Sequence, residues 1–171
     1  MREGRAFCTV CYAVGMNEQQ LIAQLAEQEQ KIRFASFDHD TGIAVGMALL
    51  EAARADVLPV AIDVSAWGQT VFHAALPGSS PDNDQWIARK RNVVHRFHKS
   101  SYRVGRELAA AGKTIDEQWF VDPMEFSPHG GCFPVRLAGS EGVIGTVTVS
   151  GLTQDKDHEL VVTVLRTFTG D

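Results

Sequence analysis

The chain has 171 residues, of which 44% are hydrophobic and 22% charged. This length is enough for one domain with a sizeable core, and the composition is ordinary for a globular protein. No apolar run approaches the ~18 residues of a membrane span. The N-terminal stretch also lacks the apolar core of roughly 7–15 residues that a secretory signal needs. We therefore expect a cytoplasmic protein without a membrane partner.

The formal net charge of −5 is unevenly distributed. Between Trp86 and Lys113 stand eight basic residues and one acid, Glu107, so this segment carries +7 and the remainder −12. Repulsion by the acidic remainder argues against a nucleic acid partner. The basic segment suits a small anion such as a carboxylate, a phosphate or a porphyrin propionate. The alternative is a solvated helix face or an intersubunit ion-pair surface.

The three cysteines are an odd number, which argues against a disulfide framework. Cys8 and Cys11 form a lone CxxC. A zinc site would need four ligands, and a redox motif would stand between a strand and a helix start. Residues 1–16 fit no periodic pattern, so we interpret them as an N-terminal extension and residues 17–171 as a single domain. The sequence assigns no role to this extension.

The first half of the chain predicts two helices, a strand and a hairpin. Asn17 predicts the cap of a helix over 17–30, and residues 31–37 predict a short strand. Asp40 predicts the cap of a second helix that small residues keep thin. Two strands follow, joined by the turn Trp67-Gly68-Gln69, and they predict an antiparallel hairpin.

The second half begins with a long basic helical region that breaks at Ser100-Ser101 and ends at Gly112. Residues 132–138 and 143–151 predict a second hairpin, in which Pro134 indicates an edge strand. Residues 153–168 predict an amphipathic helix. This order predicts an α+β layered domain of the profilin-like or PAS-like kind, with helices covering one face of the sheet.

His129, Gly130 and Gly131 precede the third predicted strand and form one candidate ligand-binding site. An imidazole binds iron readily, and paired glycines let a flat ligand or an anion approach the backbone. The alternative is a tight turn in which the glycines supply unusual backbone dihedrals and His129 is a polar loop residue.

The basic helix supplies a second group of candidates. His95 and His98 lie three residues apart on one face, where they could flank the carboxylates of a ligand together with Arg91 and Lys99, or play a structural part. Neither this pair nor Asp38-His39-Asp40, which is explained as a helix boundary, predicts a metal site.

The remaining polar residues give no catalytic assignment. Asp63 and His73 predict a cross-strand pair of structural character. No serine stands in a nucleophile elbow, so the sequence names no catalytic residue and leaves open whether any reaction is catalysed.

Longer motifs carry a resemblance to a known family. The stretch "FPVRLAGSEGVIGTVTVSGL", followed by an acidic-capped helix, resembles the haem-degrading-domain superfamily, which includes GlcG-like and HbpS-like proteins. The motifs "SFDHDTGIAVG" and "SSYRVG" and the region from Pro59 to Phe97 look closer to one uncharacterised branch. The match covers residues 19–168.

This resemblance implies a five-stranded antiparallel sheet with flanking helices, and a homo-oligomer of two or more subunits. Some members bind haem, one group is associated with its degradation, and another relative is attached to cobalamin adenosyltransferases. A fungal member is connected with tail-anchored-protein insertion factors, which implies an adaptor role there.

Two functions follow as expectations. The first is a small-molecule-binding protein of the haem-degrading-domain type, with haem or another tetrapyrrole as candidate ligand. Its anionic groups would meet Arg91 and neighbouring cations, a histidine such as His129 would reach the iron, and the cofactor would supply any chemistry. The alternative is a non-enzymatic homo-oligomeric scaffold or adaptor, in which the basic helix and the thin helix are intersubunit surfaces.

Overall fold

The computed structural model describes residues 16–170. Over this range the chain forms helices α1 (Glu18–Lys31), α2 (His39–Ala55), α3 (Pro81–Phe97), α4 (Ser101–Ala111), α5 (Ile115–Trp119) and α6 (Gln154–Thr169). The strands are β1 (Ala61–Ala66), β2 (Gln69–Ala75), β3 (Cys132–Val135) and β4 (Gly145–Ser150). The expectations for residues 1–15, including Cys8 and Cys11, lie outside the described residues.

The first two helices begin at capping side chains. Asn17 Oδ1 accepts a hydrogen bond from the Gln20 amide, and Gln20 Oε1 accepts one from the Asn17 amide, both at 2.9 Å. This capping box agrees with the sequence interpretation. The predicted cap of α2 was wrong: Asp38, not Asp40, accepts from the Thr41 amide at 2.7 Å. Asp40 lies in the first turn, where its charge favours the positive end of the helix dipole.

The basic region divides into two helices where the sequence predicted a break. α3 ends at His98, which adopts the left-handed conformation with φ of 53°. Ser100 then caps α4, since its side chain accepts a hydrogen bond from the Arg103 amide at 3.3 Å. Gly112, also left-handed, ends α4. The connection between the two helices is therefore three residues long, 98–100.

The strands form one antiparallel sheet in the order β2-β1-β4-β3. β1 pairs with β2 and β3 with β4, as the two predicted hairpins, and β1 pairs with β4 to join them. Pro134 lies on β3, an outer strand, as predicted.

The expected fifth strand over residues 31–37 was wrong, because α1 continues to Lys31 and α2 is capped at Asp38. The short connection leaves room for a single parallel bridge between Phe34 and Leu137. The Phe34 amide donates to the Arg136 carbonyl at 2.9 Å, and the Ala138 amide donates to the Phe34 carbonyl at 2.8 Å. The sheet thus has four strands.

The sheet is covered on both faces, which corrects the expectation that helices cover one face. Every residue of β1, β3 and β4 is buried. Ile62 and Val64 of β1 point into the apolar core with α2 and α6. The alternate residues Asp63 and Ser65 are also buried, because α3 lies over that face. The polar alternation along β1 therefore marks a buried polar layer rather than a solvated surface.

This polar layer is held by hydrogen bonds between strands. Ser65 and Thr146 join their hydroxyls at 2.8 Å across β1 and β4. Thr148 donates to the Cys132 sulfur at 3.1 Å. Cys132 is fully buried, and this burial raises the pKa of its thiol to about 12.

Two apolar clusters lie on opposite sides of the sheet. The larger fills the space between the sheet, α2 and α6, and the smaller joins α3, α4 and α5 around Val93, Val104 and Ile115. None of the helices within residues 16–170 is long and apolar enough to cross a membrane.

His158 is a buried titratable group in α6. Its ring is 1% exposed and lies 5.1 Å from the Tyr102 ring. Nε2 is 2.9 Å from Gln28 Oε1, so the tautomer protonated on Nε2 donates this hydrogen bond. Nδ1 is enclosed with no partner in the described part of the chain. Burial, followed by the charge of Arg166, lowers the pKa of His158 to about 3.

We expect His158 to make the fold less stable in mild acid. Between its ordinary pKa of about 6.5 and its folded pKa of about 3, the unfolded chain binds a proton that the folded chain does not. The free energy of unfolding therefore falls as pH decreases through this window. His158→Gln should lose roughly 1–2 kcal/mol less than wild type between pH 7 and pH 5, measured by urea unfolding. Parallel losses in both proteins would contradict this role.

Candidate functional site

A cleft opens where α3, α4, the N-terminal end of α6 and the segment from Pro123 to Gly130 meet. It consists of two cavities, of about 440 Å³ and about 250 Å³, that share Trp86, His129 and Gln154 in their walls. We call the pair the His129 cleft. The larger cavity falls within the usual size range of small-molecule sites.

The larger cavity combines apolar walls with positive charge. Leu108, Ile115 and Phe126 are among its apolar residues. Its cations are Arg89, Arg106 and Lys113. Such a surface favours a ligand with an apolar body and anionic groups.

Two of these cations have no carboxylate partner among residues 16–170. The Arg89 guanidinium lies 4.2 Å from the centre of the Trp86 ring, a cation–π contact, and its Nε donates to the Gln85 carbonyl at 3.3 Å. Lys113 donates to the Gln118 side chain at 2.8 Å. Both charges therefore remain available to a ligand.

His129 stands on the wall between the two cavities. Its ring meets the Trp86 ring edge-on at 5.3 Å, and its Nδ1 lies 2.7 Å from the Ser127 hydroxyl. Loss of hydration, followed by the charges of Lys90, Arg89 and Arg106, lowers the pKa of His129. The imidazole is therefore neutral at pH 7, which is the form that binds metals.

The two glycines beside His129 serve the backbone. A Cβ on Gly130 would lie 1.9 Å from the Gln154 carbonyl oxygen, so this residue packs directly against the start of α6. Gly131 has φ of 121°, a conformation that favours glycine, and a Cβ there would lie 2.3 Å from the Val149 carbonyl oxygen. Gly130 also lines the smaller cavity. The turn thus fixes where His129 stands.

A buried ion pair lies at the base of the smaller cavity. Lys90 and Asp157 are each 3% exposed, and Lys90 Nζ donates to Asp157 at 2.9 Å and to the Val149 carbonyl at 3.1 Å. Asp157 also accepts from the amides of Gly151 and Leu152. Burial raises the pKa of Asp157, and the Lys90 charge opposes this rise. The pair ties α3 to β4 and to the start of α6.

The other predicted ligand residues lie elsewhere. Arg91 pairs with the buried Asp63 at 3.3 Å, and Asp63 faces His73 across the hairpin, as predicted. The His95 side chain reaches the surface, and partial loss of its hydration, followed by the charges of Arg91 and His98, lowers its pKa. His98 lines a third cavity near α1. The structure therefore brings His129, Gly130 and Gly131 together and separates them from Arg91, His95 and His98.

Sequence reasoning missed the residues that surround His129. Trp86, Arg89 and Lys90 follow a helical spacing of three and four residues, which places them on one side of α3 and could have indicated a joint surface. Arg106 and Lys113 come from α4 and the residue after its cap, and only the packing of α4 beside α3 brings them there. Within residues 16–170, no group of three metal-binding side chains forms a metal site.

Comparison with known proteins supports the fold. The family model for haem-degrading HbpS-like proteins matches residues 37–166. A UPF0303 protein of Streptomyces coelicolor is 52% identical over 150 residues, covering 88% of this chain and 94% of its own. The crystal structure of the Ybr137w protein is similar at 31% identity, with a TM-score of 0.81, over 87% of this chain and 88% of its own.

A more distant structure, of a PduOC–haem complex, shares the fold with a TM-score of 0.60 at 15% identity, over 77% of this chain and 93% of its own. The fold and the cleft define an α+β domain with helices on both faces of an antiparallel sheet and a ligand-sized cleft beside α3. The chain belongs to the HbpS-like haem-degrading family, as its sequence motifs indicated.

We expect the buried pair beneath the cleft to be strongly coupled. Lys90→Met leaves the Asp157 carboxylate buried without its cation, so the free energy of unfolding should fall by about 3–5 kcal/mol. The double variant Lys90→Met with Asp157→Leu should recover much of this loss, because no charge then stays buried. Urea unfolding of the single and double variants measures the coupling. Additive losses would show that the two side chains act independently.

Proposed function

We propose that the protein binds haem or a related tetrapyrrole in the His129 cleft. The observation that carries this proposal is the larger cavity, in which apolar walls, two cations without carboxylate partners and a neutral imidazole meet. Apolar walls suit a flat macrocycle, Arg89 and Lys113 suit its carboxylates, and His129 suits its metal. The residues present therefore fit the group.

The contact between Ser127 and His129 supports a ligand role for the imidazole. When Nδ1 carries the proton and donates to the Ser127 hydroxyl, Nε2 keeps its lone pair for a metal. Ser127 is itself buried, and its amide donates to the Arg89 carbonyl at 3.2 Å. The hydroxyl is thus fixed to α3, and it would orient the ring.

Family membership supports the same ligand class. The family is described as haem-degrading, and one structure of the same fold is a haem complex. A bound haem would supply redox chemistry at its iron, while this chain would hold the macrocycle, neutralise its carboxylates and keep His129 unprotonated. No residue of the chain is needed as a nucleophile for this function.

A hemin titration tests the proposal. Purified wild-type protein should shift the Soret band saturably, with about one haem per chain. His129→Ala should alter the position of that band, since the axial ligand changes. His95→Ala is the matched control. It removes an exposed histidine of α3 that lies outside the cleft, and it should leave the wild-type spectrum unchanged. An unshifted spectrum at tens of micromolar hemin would refute the proposal.

An exposed apolar row favours a second candidate function, a homo-oligomeric scaffold or adaptor. Ile43 and Met47 lie one turn apart on α2 and are 42% and 43% exposed. Trp67, 54% exposed, stacks 5.6 Å from His39 at the start of the same helix. Exposed large apolar side chains on and beside one helix are typical of protein association sites, and we propose a second copy of this chain as their partner.

Light scattering after size exclusion tests the association. Wild type should elute as a dimer or larger species, and Met47→Glu should shift it toward the monomer, because a carboxylate would be buried in the contact. Glu51→Gln, a change at an exposed position one turn further along α2, is the control and should keep the wild-type mass. A monodisperse wild-type monomer would remove this candidate.

We further propose that residues 17–171 form one domain and that the protein acts in the cytoplasm. The contacts of α2, α3, α4 and α6 with one sheet, and of α1 with α4, support the first point. The buried free thiol of Cys132 supports the second, since unpaired thiols persist in reducing compartments.

A further inference from the structure

A third cavity, of about 300 Å³, lies between α1, the junction of α3 with α4, and the end of β3. It shares no wall residue with the His129 cleft. Four cations line it, and we call it the Arg136 cavity: Arg33, Lys99, Arg103 and Arg136.

Arg136 is a buried cation without a counterion. It is 6% exposed, and its Nη2 donates to the His98 carbonyl. Its Nε is enclosed with no hydrogen-bond partner, and no carboxylate in the described chain forms an ion pair with it. An arginine stays protonated at all physiological pH values. Its charge therefore has no direct carboxylate partner within residues 16–170.

The nearby carboxylates are already engaged. Glu29 accepts from the Ser100 amide at 2.8 Å and from Arg103 at 2.9 Å. Glu107 holds Lys99 at 2.6 Å and Arg103 at 3.0 Å.

Glu141, largely exposed, pairs with Arg33 at 3.0 Å. Three carboxylates thus face four cations, and Arg136 is the cation left over.

The energetic consequence favours a bound anion. Removing a charge from water costs several kcal/mol unless a partner and hydrogen bonds compensate it. Burial lowers the pKa of Arg136, and the nearby charge of Glu29 raises it only in part. A guanidinium fork presents paired N–H groups that match carboxylate and phosphate oxygens.

We propose that the Arg136 cavity binds an oxyanion, carboxylate or phosphate, carried on a small molecule. Arg136 makes the central contact, and the excess of one cation over the three carboxylates leaves its surroundings positive. The volume of the cavity is at the lower end of the size range of small-molecule sites. A lone oxyanion would fill only part of this volume. Phe97 and Ala26 in its wall would meet the apolar part of the ligand. This site stands independently of the tetrapyrrole proposal.

Thermal unfolding with inorganic phosphate or acetate, at ionic strength held constant with chloride, tests the proposal. One of the two probes should raise the Tm of wild type by about 5 °C when its concentration is roughly tenfold above its Kd. A response to phosphate alone identifies a phosphate site, and a response to acetate alone identifies a carboxylate site. A Tm that responds to neither probe beyond chloride would overturn the proposal.

Arg136→Met tests whether the effect belongs to this cavity. Its Tm in chloride should equal or exceed that of wild type, because the unpaired charge is gone, and the rise with the active probe should vanish. Lys99→Gln should keep the fold and weaken the Kd of the probe by roughly tenfold in calorimetric titration.

Lys156→Gln removes an exposed cation of α6 that lines neither the Arg136 cavity nor the His129 cleft, is the charge-matched control, and should respond like wild type. An undiminished rise in both cavity variants would overturn the assignment.

Discussion

The architecture depends on burying a polar sheet face beneath a basic helix. On that face, α3 places Lys90 against Asp157 and Arg91 against Asp63, and both carboxylates have raised pKa values because burial opposes their charge. Each pair is tolerable only because the partner is present. The position of α3 follows from these pairs, and with it the position of Trp86 and Arg89 at the mouth of the cleft.

The sequence was informative wherever local chemistry decides structure. The Asn17 cap, the break at Ser100, the Gly112 terminus and both hairpins follow from capping and turn preferences of nearby residues. The prediction of a fifth strand over residues 31–37 was wrong. These residues have strand propensity, but the connection between α1 and α2 is too short for a strand. The expectation of a half-covered sheet failed because the alternation of Asp63 and Ser65 looks the same whether the polar face meets water or buried cations.

The candidate site was predictable only in part. The glycines after His129 indicated an unusual turn, and the structure gives the reason: Gly130 packs against the first residue of α6 and Gly131 against β4. The surroundings of His129 could not be derived, since Arg89, Arg106 and Phe126 converge through tertiary packing alone. Nor could the sequence show which basic residues form ion pairs within the chain and which remain available to a ligand. Five of the eight between Trp86 and Lys113 are in ion pairs within the chain, which leaves few charges for ligands.

The chemical modification of Cys132 measures how often the polar layer becomes accessible to solvent. Its sulfur is completely enclosed between β3, β4 and the helices above them, and with a pKa of about 12 it is almost entirely protonated near neutrality. A thiol reagent can reach it only when α3 and α4 lift from the sheet. The rate at which Cys132 becomes modified would therefore report how often this half of the molecule opens, and a ligand that fastens the two helices would slow that rate.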